Sequence, residues 1–344
     1  MRVGTNPIRS RYLAYSYQRV GVASITFAPF LEGFFSEAIE VIDIHLNSIR
    51  QSVSENIDLL VFDNGSCVEL TDFLCAQQRL GLIDWLFLSK HNLGKAGALN
   101  WIFASMPNEY IVYTDSDVLF RPGWLEQSSE VFNTFERVGI VSAQTAFFDD
   151  IPGVAATAQR LAELPGVQLS EEMPNPEILS EFCEGVGAPA EVRQRLEQIP
   201  LHVATHRKKG VRAVAGTTHM QFMLQRELAR RLSPLPVTRA LDSSDDFEIN
   251  RRVDAMGYLQ LSLPVPLVYH MGNRLEGRYM LEANNIRRNA GRAFEPWDHA
   301  RAQSRQKSRS KKVFGRSLQH SPRLKRLIQR VYAFLFDILY ANYE

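Results

Sequence analysis

The chain has 344 residues, 45% of them hydrophobic and 22% charged, with a formal net charge of +1. That is an ordinary globular composition, enough for one large domain or two modest ones. Three cysteines without metal-site spacing exclude a disulfide framework and point to a reducing, cytoplasmic setting. The first 18 residues lack the apolar stretch of a signal peptide, and no run approaches the ~18 to 20 apolar residues of a spanning helix. Charge is unevenly placed: residues 301–344 carry eleven Lys and Arg against Asp337 and Glu344, so the rest of the chain is net acidic. A basic tail on an acidic body suggests an anionic surface as its partner.

Residues 1–18 form a polar N-terminal extension dotted with aromatics. The apolar run 20–27 predicts a first buried strand, and Ile39, Ile42, Leu46 and Ile49 predict a helix over about 36–52. A second strand over 57–62 ends at Asp63-Asn64-Gly65-Ser66. A helix over 67–80 and a third strand over 83–88 follow. Asn92-Leu93-Gly94-Lys95-Ala96-Gly97-Ala98-Leu99-Asn100 opens a helix that runs to about 105. The fourth strand is the run from Ile111 to Phe120, which is rich in β-branched and aromatic residues and carries Asp115 and Asp117. Such alternation predicts an α/β fold with a mostly parallel sheet covered by helices on both faces.

The pattern weakens after 138–143. Residues 149–210 are rich in proline and predict an insertion with short helices, such as 190–198, of the kind that carries specificity. A strand from about 211 to 224, a helix over 225–232 and a helix over 245–256 capped by Gly257 come next. Short strands over 259–263 and 267–269 end at His270.

Asp115 and Asp117 stand at a strand end with no basic residue between them. Two carboxylates there fit a solvated loop, or else a hard divalent cation that also holds phosphate oxygens. Asp63, followed by Gly65 and Ser66, fits a tight turn, or a contact with a nucleobase imide N–H. The helix start at Asn92 and Lys95 fits close packing, or a nucleotide facing exposed N–H groups and a lysine. In Asp242-Ser243-Ser244-Asp245-Asp246 the acids favour a helix N-terminus, or supply a general base. His270 is an ordinary loop residue or a neutral metal ligand; His202, His206 and His219 are read as ordinary loop or core residues.

Taken in order, these pieces resemble family 2 glycosyltransferases of the GT-A fold, over about residues 20–275. The set is strand–DNGS, N-x-G-K-A-x-A-x-N, Thr114-Asp115-Ser116-Asp117, a glycine-led strand, Asp245-Asp246 with Arg252 and Gly257-Tyr258, and then His270. The resemblance implies a GT-A domain over 19–275 with 149–210 as its specificity insertion. It implies a nucleotide-sugar donor, most commonly a UDP-sugar, with Mn²⁺ or Mg²⁺. Asp63 lies near the base, with Asn92 and Lys95 on the nucleotide. Asp115 lies near the ribose or donor sugar and on the metal side, and Asp117 and His270 contact the metal. Asp246 is the catalytic base, with Asp245 the other candidate. The implied reaction is a single displacement with inversion, onto a glycan, lipid-linked or small-molecule acceptor.

Two departures bear on this reading. Thr26-Phe27-Ala28-Pro29 replaces the usual Pro-x-x-Asn-like turn. No Gln-x-x-Arg-Trp-like segment follows Asp246, which favours one sugar per encounter over a polymer. A sugar-nucleotide pyrophosphorylase is the alternative enzyme, but residues 27–36 lack its basic glycine-rich loop. A binding protein of the same fold without catalysis is the other alternative. The region 276–344 is read as a basic helical tail, with Leu324, Leu327, Ile328, Val331, Phe334, Leu335 and Ile338 on one face. Such a face beside basic residues suits the inner surface of an anionic membrane, the protein's own body or a second subunit. A nucleic-acid partner is not expected, because the body is acidic.

Overall fold

The structure, a computed structural model, describes residues 15–237 and 247–290. It opens with an alternation of strands and helices: β1 (Val20–Thr26), α1 (Ala38–Gln51), β2 (Asp58–Asn64), α2 (Val68–Arg79), β3 (Trp85–Ser89), α3 (Gly94–Ser105) and β4 (Tyr110–Asp115). The four strands pair in parallel in the order β3-β2-β1-β4. Each connection carries a helix because a parallel pair cannot be joined by a tight turn. α1 packs through Ile39, Ile42, Leu46 and Ile49, all buried at helical spacing. α3 covers the other face with Ala98, Leu99, Ile102 and Phe103. Burying side chains of this size stabilises the fold by about 1.5 to 3 kcal/mol each.

The run from Ile111 to Phe120 is two strands rather than one. β4 stops at Asp115, the chain turns through Ser116 and Asp117, and β5 (Val118–Phe120) begins in another direction. Then come α4 (Trp124–Phe132), β6 (Val138–Ser142), α5 (Val154–Glu163), β7 (Val167–Glu172), α6 (Pro176–Gly185), α7 (Ala190–Leu196), β8 (Leu201–His206) and β9 (Arg212–Ala215). The described part ends with β10 (Gln221–Gln225), α8 (Arg226–Leu232), α9 (Glu248–Ala255), β11 (Leu259–Ser262), β12 (Val268–His270) and α10 (Met280–Asn289).

The sheet is mixed, and this corrects the expectation of a mostly parallel one. Its ten strands lie in the order β3-β2-β1-β4-β10-β6-β11-β9-β8-β7. β10 runs antiparallel between β4 and β6. β11 is parallel to β6, while β9, β8 and β7 continue as an antiparallel meander. The reason is local: only a short turn through Gly210 joins β8 to β9, and a short turn dictates an antiparallel pair. A second, two-stranded sheet pairs β5 with β12, with His270 opposite Val118.

Among the described residues no helix is long and apolar enough to cross a membrane. The expected helical tail over 301–344 lies outside the described residues.

Candidate active site

β4 is buried along its length and delivers Asp115 at its carboxyl end. The Asp115 carboxylate receives the Tyr113 hydroxyl on Oδ1. Lys95, one residue into α3, places Nζ 3.1 Å from the same oxygen. Lys95 also donates to the His219 carbonyl at 3.2 Å and lies 5.1 Å from the centroid of the Tyr113 ring. Burial alone would raise the Asp115 carboxyl. The Lys95 charge, the Tyr113 hydroxyl and His219 outweigh it and hold the group below the usual range.

Asp117 faces a different partner. The β5–β12 pairing brings His270 beside it, with Nε2 3.3 Å from Asp117 Oδ2. The Met271 amide donates to the Asp117 carbonyl at 2.7 Å. His270 Nδ1 lies 2.9 Å from the carbonyl of Gly185, the last residue of α6. A carbonyl only accepts, so Nδ1 carries a proton toward Gly185, and Nε2 is the ring nitrogen that faces Asp117. The other carboxylate oxygen, Oδ1, is buried without a hydrogen-bond partner among the described residues. Burial raises the Asp117 carboxyl, His270 opposes this, and Asp115 adds to it.

A carboxylate with an orphaned oxygen beside an imidazole nitrogen is a donor set that fits a cation. Hard divalent ions that also hold phosphates need only one or two carboxylates from the protein. Among the described residues, however, no three His, Cys, Asp or Glu side chains gather as a complete metal set. Asp117 and His270 come together; Asp115, expected beside them, is paired with Lys95.

Asp63, the next-to-last residue of β2, is 0% exposed. Its Oδ1 accepts from Thr26 at 3.2 Å and its Oδ2 from the Ser66 amide at 3.1 Å. Burial raises its carboxyl against these bonds. Asn64 donates to Asn92 Oδ1 at 3.0 Å and accepts from the Leu93 amide at 2.8 Å. Asn92 Oδ1 also accepts from the Gly94 amide at 2.8 Å. The turn after β2 is thus bound to the start of α3, and Gly65 adopts φ +86° where a side chain would meet the Asn92 backbone.

A small recess lies beside Lys95 and is lined by His219, Phe222, Leu235, Glu248 and Ile249. Phe247 packs edge-on against His219, with centroids 5.5 Å apart. The described residues on either side of 238–246 therefore border this recess. Asp245 and Asp246 lie outside the described residues.

The sequence alone does not reveal the Lys95–Asp115 pair or the Gly185 carbonyl. Lys95 is expected on the nucleotide, without its carboxylate partner. Gly185 carries no motif.

Residues 34–179 match glycosyl transferase family 2. An uncharacterized glycosyltransferase of Nostoc sp. is 27% identical over 128 residues, which is 37% of this chain and 38% of that one. The mannosyltransferase PcManGT of Pyrobaculum calidifontis, solved with GDP-Man and Mn²⁺, is 17% identical at a TM-score of 0.45. That alignment covers 72% of this chain and 55% of the mannosyltransferase. GalNAc-T7, solved with UDP, GalNAc and Mn²⁺, is 14% identical at a TM-score of 0.43, over 73% of this chain and 42% of its own. The chain thus spans well under two thirds of each of these proteins.

Proposed function

We propose that this chain, whose residues 34–179 match glycosyl transferase family 2, transfers a sugar from a nucleotide-sugar donor to an acceptor hydroxyl, with inversion at the anomeric carbon. The observation that carries the proposal is the Asp117–His270 pair. It is a carboxylate with one orphaned oxygen, set 3.3 Å from an imidazole whose other nitrogen is held by the Gly185 carbonyl.

Asp117 and His270 are the residues that would hold a divalent cation, Mn²⁺ or Mg²⁺. When bound, the cation supplies positive charge against the departing diphosphate. Lys95 and Asp115 face the nucleotide on the other side of the turn. The Asp63 turn, tied to Asn92, borders the base. Asp63 is wholly buried, so it acts through the shape of the Gly65-Ser66 turn. UDP is the commonest donor nucleotide in this family and is the first to test.

Asp246 removes the proton from the attacking hydroxyl as it bonds to the anomeric carbon, with Asp245 the other candidate. The described residues that flank 238–246 line the recess beside Lys95, which is the observation behind this assignment. General-base assistance is worth roughly 10² to 10⁴-fold. Asp246→Asn is expected to lower transfer by that factor while donor binding persists. Undiminished transfer with intact binding contradicts the assignment.

The acceptor is a glycan, a lipid-linked sugar or a small molecule. The eleven basic residues of 301–344 support a place at an anionic membrane surface. Flotation with anionic liposomes tests this. The full chain floats and a chain ending at residue 300 does not; equal flotation removes the idea.

A further inference from the structure

The ten-stranded sheet has two outer strands, β3 and β7, and they differ in chemistry. β7 carries Glu171 and Glu172, and charge on an edge strand deters further pairing. β3 reads Trp85-Leu86-Phe87-Leu88-Ser89 and carries no charge. Its inner side pairs with β2 from Trp85 to Ser89. Its outer side has no neighbouring strand among the described residues.

Apolar side chains stand exposed along this strand. Leu88 is 51% exposed and Phe87 is 38% exposed. Phe87 stacks on Phe62 of β2, with ring planes 11° apart, and still keeps more than a third of its surface in solvent. Tyr15 and Tyr17 extend the surface at the start of the strand. Both are exposed, and their rings lie 5.6 and 6.0 Å from Trp85, centroid to centroid.

An open, uncharged edge is a template for another strand. The residues that bracket β3 select a second copy of this chain. Asp84 precedes the strand, Lys90 follows it, and both are exposed. Two copies paired antiparallel about a two-fold axis at Phe87 set Phe87 against Phe87, Leu86 against Leu88 and Asp84 against Lys90, the last two pairs twice over. Moving the axis by one residue in either direction loses both charge pairs. A parallel pairing in register sets like charges against each other. Arg50 already holds the Asp84 carboxylate at 2.6 Å, so the incoming lysine joins an acid that is ordered in place.

We propose that β3 is the contact edge of a homodimer, in which the β3 strands of two copies pair antiparallel about Phe87 and the sheet continues from one copy into the other. The antiparallel arrangement points the carboxyl ends of the two β2 strands, with their Asp63 turns, in opposite directions and keeps the two candidate active sites apart. Two strands of five residues bury less than the roughly 1,200 Å² of a standard interface, so the dimer forms at micromolar concentrations.

The test is sedimentation velocity on the full chain, from about 1 to about 100 µM at low salt. The mass is expected to rise from one chain toward two. Phe87→Lys sets two like charges against each other at the axis and is expected to hold the chain at one copy across that range. Lys90→Glu sets acid against acid at both charge pairs and is expected to raise the dissociation constant about 3- to 10-fold. Its side chain is exposed, so its melting temperature should match the wild type; it decides the matter where Phe87→Lys melts lower. A wild type that stays a single chain throughout overturns the proposal. So does a dimer that both variants leave intact, which means association through another surface. A dimer that Phe87→Lys breaks and Lys90→Glu leaves unchanged overturns the pairing about Phe87.

Discussion

His270 Nε2 lies 3.3 Å from Asp117 Oδ2, and the Gly185 carbonyl takes the proton of its other ring nitrogen at 2.9 Å. Without a ligand, Asp117 is a buried charge that costs stability, and its raised carboxyl carries the same sign. Asp117→Asn is therefore expected to melt higher than the wild type without ligand. About 1 kcal/mol corresponds to roughly 2 to 4 °C. The same variant should lose the Mn²⁺-dependent part of any nucleotide-induced shift. A variant that melts lower and still responds to Mn²⁺ contradicts the role given to Asp117.

Gly185 ends α6 against β12. A side chain there would meet the His270 carbonyl at 2.6 Å. Gly185→Ala should push α6 back and release the bond that orients the imidazole. Losing an outer-shell partner of this kind typically weakens metal binding about 10- to 100-fold. Titration of Mn²⁺ in the presence of UDP reads this directly. Unchanged affinity means that the orientation of His270 is set by the β5–β12 pairing alone.

Lys95 holds the Asp115 carboxyl low against the effect of burial. Lys95→Met removes that charge and leaves the carboxylate with Tyr113. Both side chains are about a third exposed, so solvent screens the pair, and the expected loss is about 1 kcal/mol at pH 7. The sign with pH follows from the lowered carboxyl. The contribution is present above the unfolded value near 3.9 and is lost as pH falls through the folded one. The gap between wild type and variant should therefore close below about pH 4. Urea unfolding at several pH values measures it; a gap that widens in acid contradicts the pairing.

His45 lies in the interior under the same turn. Its Nδ1 donates to the Val118 carbonyl at 2.5 Å and its Nε2 accepts from Ser24 at 2.9 Å. Burial lowers it to about 4, although the Val118 bond works against that. Above about pH 6.5 both states of the chain are neutral here, and the fold has its full stability. Between 6.5 and 4 only the unfolded chain takes up the proton, so stability falls, by about 2 kcal/mol at pH 5. His45→Gln should remove this part of the acid sensitivity. A wild type and variant that lose the same stability between pH 7.5 and 5 contradict the buried neutral state.

The first half of the fold is legible in the sequence because each parallel strand there needs a helix to return. Periodicity carries no direction, however. β10 is an apolar run like β1 or β2, and nothing within Gln221–Gln225 says that it runs against β4. The Asp115–Asp117 stretch is legible as a strand end. The break that turns the two carboxylates to different partners depends on β5 pairing with β12, about 150 residues later in the chain. The same distance hides the Asp117–His270 contact, which only the resemblance to a known family suggested.

The central claim is a metal-dependent nucleotide site at Asp117 and His270. A thermal-shift series with UDP, GDP and dTDP, with and without Mn²⁺, tests it most directly. Ligand at 100 times its dissociation constant adds about 2.7 kcal/mol, roughly 5 to 10 °C for a domain of this size. A shift of that size is expected for one nucleotide, present with Mn²⁺ and largely lost without it. No shift for any nucleotide, or one indifferent to the metal, would contradict it.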